Sequence, residues 1–338
     1  MDTPLRLLVQ KVGGAVTGSA ARNLKKEEAH EAFTMLLDGA GDPVQVAAFL
    51  VAMRSKGMTG DELVGFATAA RERIPFPVLP DGAVVLSTAR MGKYLHPELG
   101  MAGVAAAVGA GVAVLVQAAP HARGSGVTLG DMWQRMVGDI CTDAKTVESQ
   151  FSSAGLACWQ PTCGDAGWLR LLEVENHLGL RCAPDIVSKL LVPDDSRVMV
   201  PSRLGPVLGL ASDALCSLGH RWGLILQGCE GSLDPYLCQR TRGMWLEDGN
   251  KSPLRESPED YGIFCPNEPE HGVVDRYESS HVAVMKALAG VDGPEMDCAA
   301  LGGALIIRLS GVVPDMATAL GMARDSLESG AAHRAIKA

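Results

Sequence analysis

LKKEEAHEAFTMLLDGAGDPVQVAAFLVAMRSKGMTGDELVGFATAARERI, residues Leu24 to Ile74, spells three consecutive helices. The first is predicted from about Lys26 to Leu37, because Ala29, Ala32, Phe33, Leu36 and Leu37 share one face at helical spacing and acids crowd its start. Gly39 and Gly41 end it. Asp42 and Pro43 open the second helix, proline being well suited to a first turn, and Val46, Phe49, Leu50 and Met53 give it an apolar stripe that closes at Lys56-Gly57. In Thr59-Gly60-Asp61-Glu62 the hydroxyl and the carboxylate can satisfy each other's backbone amides, the capping box that starts the third helix. Pro75 sets its far limit near Arg73.

Outward from this segment, 338 residues allow one large core and a smaller second domain. Hydrophobic residues at 47% and charged residues at 20% suit a soluble α/β protein, and no apolar run is long enough to span a bilayer. The N-terminus, MDTPLRLLVQK, has an acid too early for a secretory signal. Nine scattered cysteines without paired CxxC spacing imply reduced thiols and a cytoplasmic setting. A net charge of −9 argues against a basic nucleic-acid surface over the whole molecule, while leaving room for a local basic groove.

Beyond the proline-rich stretch 75–82 the pattern changes to short apolar strands alternating with helices, the mark of a largely parallel sheet. Strands are predicted at Ala83 to Leu86, Val112 to Val116 and Trp222 to Gln227. Helices are predicted near 98–110, 127–137, 144–154, 166–178, 184–191, 206–218, 295–309 and 314–328. The polar stretch from Asp248 to Asp275 should be a long surface connection or a short hairpin.

With AAFLVAMRSKGMTGDEL at its centre, the Leu24 to Arg73 segment resembles the N-terminal helical domain of the anthranilate phosphoribosyltransferase and pyrimidine-nucleoside phosphorylase superfamily. DCAALGGALIIRLSGVVPDMATALGMARDSLESGAA (Asp297 to Ala332) and ENHLGLRCAPDIVSKLLVP (Glu175 to Pro193) are similar to later segments of the same family, in the same order. The resemblance implies an α/β protein with two domains. A small, mostly helical domain would comprise residues 1–78 with 168–192 returning to it. A larger α/β domain with a largely parallel central sheet would comprise 79–167 and 193–338. It further implies a ligand cleft between the domains and a homodimer formed through the helical one.

Departures from the family lie where its chemistry would be. Active members run the first strand of the large domain into a glycine-rich loop, GTGGDG, whose amides approach a pyrophosphate. Here the strand continues as LSTARMGKYLHPELG, keeping only Gly92. The family's arginine near the aromatic acid's carboxylate falls at about Glu175, whose charge would repel anthranilate. In place of the adjacent Asp-Glu pair that holds magnesium, QGCEGSLDPYL offers Glu230 and Asp234, separated, with Pro235 at the neighbouring position. These two acids could hold magnesium, or could simply belong to a polar turn. The loop pattern is more similar to a subgroup that keeps the fold without the glycine signature, some members of which are thought to bind nucleic acid.

Ser87, Thr88, Arg90, Gly92, Lys93 and His96 follow the first strand, where open α/β sheets bind ligands, and with Arg123 they are the candidate phosphate contacts. Read plainly, Arg90, Lys93 and Arg123 are solvated loop charges and Ser87-Thr88 caps the next segment. The cysteines lack neighbouring histidine pairs, so no zinc site is expected. The function implied is a glycosyltransferase-family protein that binds a phosphorylated ribose or nucleotide-like molecule, with anthranilate an unsuitable acceptor. The rival is a non-catalytic nucleic-acid-binding or regulatory dimer using a basic strip of Arg54, Lys56, Arg90, Lys93 and Arg123.

Overall fold

The computed structural model describes residues 4–14, 21–119, 124, 126–203, 205, 207–272 and 274–337. In chain order, four helices come first: α1 (Pro4–Gly13), α2 (Lys26–Leu37), α3 (Pro43–Lys56) and α4 (Gly60–Arg71). Alternating elements follow: β1 (Val84–Ser87), α5 (Gly100–Gly109), β2 (Val114–Gln117), α6 (Leu129–Met136), α7 (Ala144–Ala154) and β3 (Leu156–Trp159). Then come α8 (Ala166–Leu178), α9 (Ala183–Ser188), β4 (Arg197–Pro201), α10 (Leu208–Ser217), β5 (Trp222–Gln227), β6 (Arg242–Glu247) and β7 (Asn250–Leu254). The chain closes with α11 (Arg276–Leu288), α12 (Pro294–Ser310), α13 (Met316–Glu328) and α14 (Ala331–Ala335). It divides into two compact units, one of Met1–Pro75, Pro161–Leu191 and Asp213–Leu218, the other of the remaining residues.

In the helical unit the capping chemistry predicted from sequence is present. The Thr59 hydroxyl accepts from the Glu62 amide at 3.3 Å, and the Glu62 carboxylate accepts from the Thr59 amide at 2.8 Å. Asp42 caps α3 by accepting from the Gln45 amide at 2.9 Å. Helices α2 and α4 pack closely because Gly65 has no side chain: a Cβ there would collide with the Lys26 carbonyl. Phe33 anchors the interior, stacked on Phe66 with ring centroids 5.0 Å apart and edge-on to Trp168 at 5.8 Å.

The larger unit is built on a seven-stranded sheet in the order β3-β2-β1-β4-β5-β6-β7. The pairs β2-β3, β1-β2, β1-β4 and β4-β5 are parallel, while β5-β6 and β6-β7 are antiparallel. Strands β1, β2 and β3 are buried along their full lengths and lack alternation, as expected of a parallel sheet covered on both faces. The hairpin β6-β7 turns at Asp248-Gly249, both with positive φ (51° and 79°), the backbone that a two-residue hairpin loop requires. Helices α5 and α12 meet at Gly103 and Gly303, where a Cβ on Gly303 would lie 2.9 Å from that of Ala106. No helix of the described residues is long and apolar enough to cross a membrane.

Candidate functional site

From β1 the chain moves outward to β2 and β3, then returns to place β4 on the other side of β1. The loops leaving the carboxyl ends of β1 and β4 therefore diverge, opening the crevice in which α/β sheets bind ligands. A small, partly open pocket lies there, formed by Thr88, Gly92 and Glu98 after β1, Thr128 after β2, and Gly231 and Ser232 after β5. Two of these loops are tied together, since Lys93 and Val127 exchange backbone hydrogen bonds of 2.8 and 3.0 Å. Gly92 makes this approach possible: its φ is +66°, and a Cβ would sit 2.5 Å from the Gly126 carbonyl carbon.

Buried beside the pocket are one cation and two carboxyl groups. The Lys93 ammonium donates to Asp234 Oδ2 at 2.6 Å, with each side chain only 3% exposed. Asp234 Oδ2 also accepts from the Leu99 amide at 3.0 Å. Burial alone would lower the Lys93 pKa, but Asp234 and then Glu98 more than offset it, and the net shift is upward. Glu98, 3% exposed, accepts from the Gly100 amide at 3.1 Å. Its carboxyl is pushed well above the ordinary range, first by burial and then by Asp234, against a smaller opposing pull from Lys93. One lysine thus faces two carboxyls, and Glu98 keeps its proton to higher pH than an ordinary carboxyl.

Glu230 has a different task. Its carboxylate accepts from the Tyr94, Leu95 and His96 amides at 2.9, 3.0 and 2.9 Å, so three successive N–H groups converge on it as they would on a bound anion. The residue itself adopts φ 55°, ψ 15°, a left-handed conformation that is costly for any residue but glycine. The two acids offered to magnesium by the sequence thus already hold protein donors. The Cys229 thiol and the His96 imidazole gather with Glu230 within 4.8 Å, a donor set that does not suit a hard, oxygen-seeking ion.

Of the other sequence-predicted contacts, Thr88 is spent on structure, donating to the Gln117 carbonyl at 3.0 Å and accepting from the Ala119 amide at 2.8 Å. Ser87 is fully buried and its hydroxyl finds no hydrogen-bond partner among the described residues. Arg90, 1% exposed, is inside the fold, so neither it nor Lys93 is a solvated loop charge. The His96 Nδ1 lies 3.0 Å from the Pro269 carbonyl. Arg123 and its neighbour His121 lie outside the described residues. Of the other residues named for the basic strip, Lys56 is paired with buried Glu62 at 2.6 Å, and exposed Arg54 donates to the Arg181 carbonyl. In the helical unit Glu175 is fully buried and accepts from the Cys182 amide, where it closes the turn after α8.

Glu98, Thr128 and Ser232 join the pocket without having been singled out from sequence. Thr128 carried a legible sign, since Thr128-Leu129-Gly130-Asp131 is a capping pattern: its hydroxyl donates to Asp131 at 2.7 Å and accepts from the Asp131 amide at 3.1 Å. Glu98 carried none, because only the fold gathers it with Asp234 and Lys93.

Comparison with known proteins agrees with this architecture. Residues 7–74 match the model of the glycosyl transferase family, helical bundle domain. The anthranilate phosphoribosyltransferase of Chloroflexus aggregans is 30% identical over 335 residues, covering 93% of this chain and 92% of the relative. That of Methanothermobacter marburgensis is 26% identical, with 93% of each chain covered. Among solved structures, anthranilate phosphoribosyltransferase from Thermus thermophilus superposes with a TM-score of 0.77 at 25% identity, covering 99% of this chain and 97% of its own. The Saccharomyces cerevisiae enzyme in complex with PRPP and Mg also scores 0.77, at 15% identity, which speaks for the fold. With an identity of 30% sustained over nearly the full length of a relative, the chain belongs to the anthranilate phosphoribosyltransferase family.

Proposed function

We propose that this protein binds a phosphorylated ribose, of the class of 5-phosphoribosyl diphosphate, in the pocket at the carboxyl ends of β1, β2 and β5. The observation that carries this reading is the pocket's position at the point where strand order reverses, lined by Thr128, Ser232 and Glu98, whose carboxyl is pushed well above its ordinary pKa by burial. A neutral carboxyl can donate a hydrogen bond to phosphate and does not repel it. The backbone around Gly92 supplies further polar groups to the pocket, with Thr88, Lys93 and Glu230 fixing the loop that carries it.

Chemistry at this site would be displacement at the anomeric carbon. The bond from C1 to the diphosphate oxygen breaks as an acceptor atom bonds to C1, through an oxocarbenium-like state stabilised by positioning and fixed dipoles. The acceptor in this reading is not anthranilate, because the HLGLR segment aligns Glu175 at about the position of the family's arginine. Pairing of two copies through the helical unit in a cytoplasmic setting belongs to the same reading, and light scattering checks the pairing.

Titration calorimetry with 5-phosphoribosyl diphosphate, with and without magnesium, tests the ligand. Saturable one-site binding that weakens roughly tenfold in Ser232→Ala is expected, on the scale of one lost hydrogen bond to a charged group. Absence of binding at millimolar ligand would overturn the proposal. Consumption of anthranilate in the presence of that ligand, followed by its fluorescence, would overturn the acceptor assignment alone.

A further inference from the structure

We infer that His96, Cys229 and Glu230 form a site for a zinc-type transition metal, separate from the phosphate pocket. One ring nitrogen of His96, the Cys229 sulfur and a Glu230 carboxylate oxygen lie within 4.8 Å of one another, although His96 is more than 130 positions away in the chain. Tetrahedral zinc spaces its ligand atoms about 3.3–3.8 Å apart, so small rotamer adjustments bring the three onto one ion. Imidazole, thiolate and carboxylate together are a borderline-soft donor set, which selects zinc or cobalt over magnesium.

The surroundings are those of a prepared site. The Pro269 carbonyl can only accept, so His96 Nδ1 must donate to it at 3.0 Å, and Nε2 is left with its lone pair. A histidine ligand is ordinarily oriented in this way, by a hydrogen bond from its second nitrogen. The Glu230 carboxylate is fixed by three amides, two on Oε1 and one on Oε2. A carboxylate offers about four acceptor positions, so one remains for a metal. Cys229, only 2% exposed, is held by its amide's hydrogen bond to the Asp234 carbonyl at 2.8 Å.

His96 and His271 line the same solvent-open hollow beside this cluster, together with Tyr94 and Arg276. Both ring nitrogens of His271 are buried without a hydrogen-bond partner among the described residues, an arrangement that a fourth ligand, or a partner to metal-bound water, would explain. Three protein ligands with a fourth position facing an opening is the pattern of zinc sites that act on a bound molecule.

The test uses the full-length protein, reduced and stripped with a chelator, titrated with cobalt(II) and then with zinc against a chromophoric competitor. One equivalent of cobalt should give the near-ultraviolet thiolate charge-transfer band and the visible spectrum of a four-coordinate ion, both displaced by zinc and not by magnesium. Cys229→Ser should abolish the thiolate band, and His96→Gln should weaken zinc binding by about 100-fold or more. Cys163→Ser, at an exposed thiol elsewhere, should change neither, and its normal spectrum guards against general damage. Absence of stoichiometric binding by the unmodified protein, or a band that survives Cys229→Ser, would overturn the assignment.

Discussion

Replacing Lys93 with methionine keeps the aliphatic stem and removes the ammonium that Asp234 and Glu98 share. Breaking a buried pair by removing one partner costs about 3–5 kcal/mol, because the charge left behind is neither solvated nor compensated. The 2.6 Å contact between two groups 3% exposed belongs in that class and not among surface pairs. For a unit of this size about 1 kcal/mol moves the melting temperature by roughly 2–4 °C, so a fall of roughly 10 °C is expected. Asp234→Asn should cost less, about 1–3 kcal/mol, because Glu98 can give up its proton and become the counter-charge for Lys93. The double variant should be far more stable than the sum of the two losses implies, with a coupling of at least about 2 kcal/mol. The sign with pH is also fixed. Lys93's folded pKa is raised above the ordinary 10.5, so its contribution is fully present below that value and is lost only as pH rises beyond it. Scanning calorimetry of the three variants at about pH 5 and pH 8 reads all of this. Additive losses, or an Asp234→Asn cost equal to that of Lys93→Met, would refute the shared-charge account.

Two further stability outcomes follow from named contacts, beside the ligand and metal titrations already described. Glu98→Gln removes a carboxyl whose folded pKa lies above the ordinary 4.5, a group whose contribution is full below that value and lost as pH rises. Its melting temperature relative to the unmodified protein should therefore climb as pH rises above about 5, and a flat or falling difference would mean that Glu98 is charged and favourably paired. Phe33→Ala should destabilise the helical unit by about 3–5 kcal/mol, since it empties the centre of the Phe66 and Trp168 cluster. Urea unfolding followed by Trp168 fluorescence measures it, and a loss under about 1 kcal/mol would show that the cluster repacks.

Helices with both a periodic apolar face and explicit caps were legible from sequence: α2 and α3 begin and end where Gly39, Asp42-Pro43 and Gly57 place them. Strands β3 and β4 were not, because four or five apolar residues such as LACW and RVMVP have no period to distinguish them from a loop or a buried helix turn. The hairpin was only half visible, although Asp248-Gly249 between β-prone runs carries the local chemistry for it. Position after β1 followed from the alternation of elements, but a sequence shows charges without their partners. Lys93 reads as a phosphate anchor until Asp234, 141 residues away, is found beside it. His96 and Cys229 read as unrelated for the same reason.

The three amides that converge on Glu230 bear on the timing of binding. In a protein whose phosphate loop waits for its ligand, those N–H groups exchange with solvent until an anion arrives and the segment orders around it. Here residues 94–96 carry their anion in the chain, so their amides should exchange slowly before any ligand is added and change little afterwards. The entropy of ordering this segment is lost during folding and not at the moment of encounter. Association is then expected to be a single fast step onto a rigid loop, with selectivity expressed in how long the ligand stays.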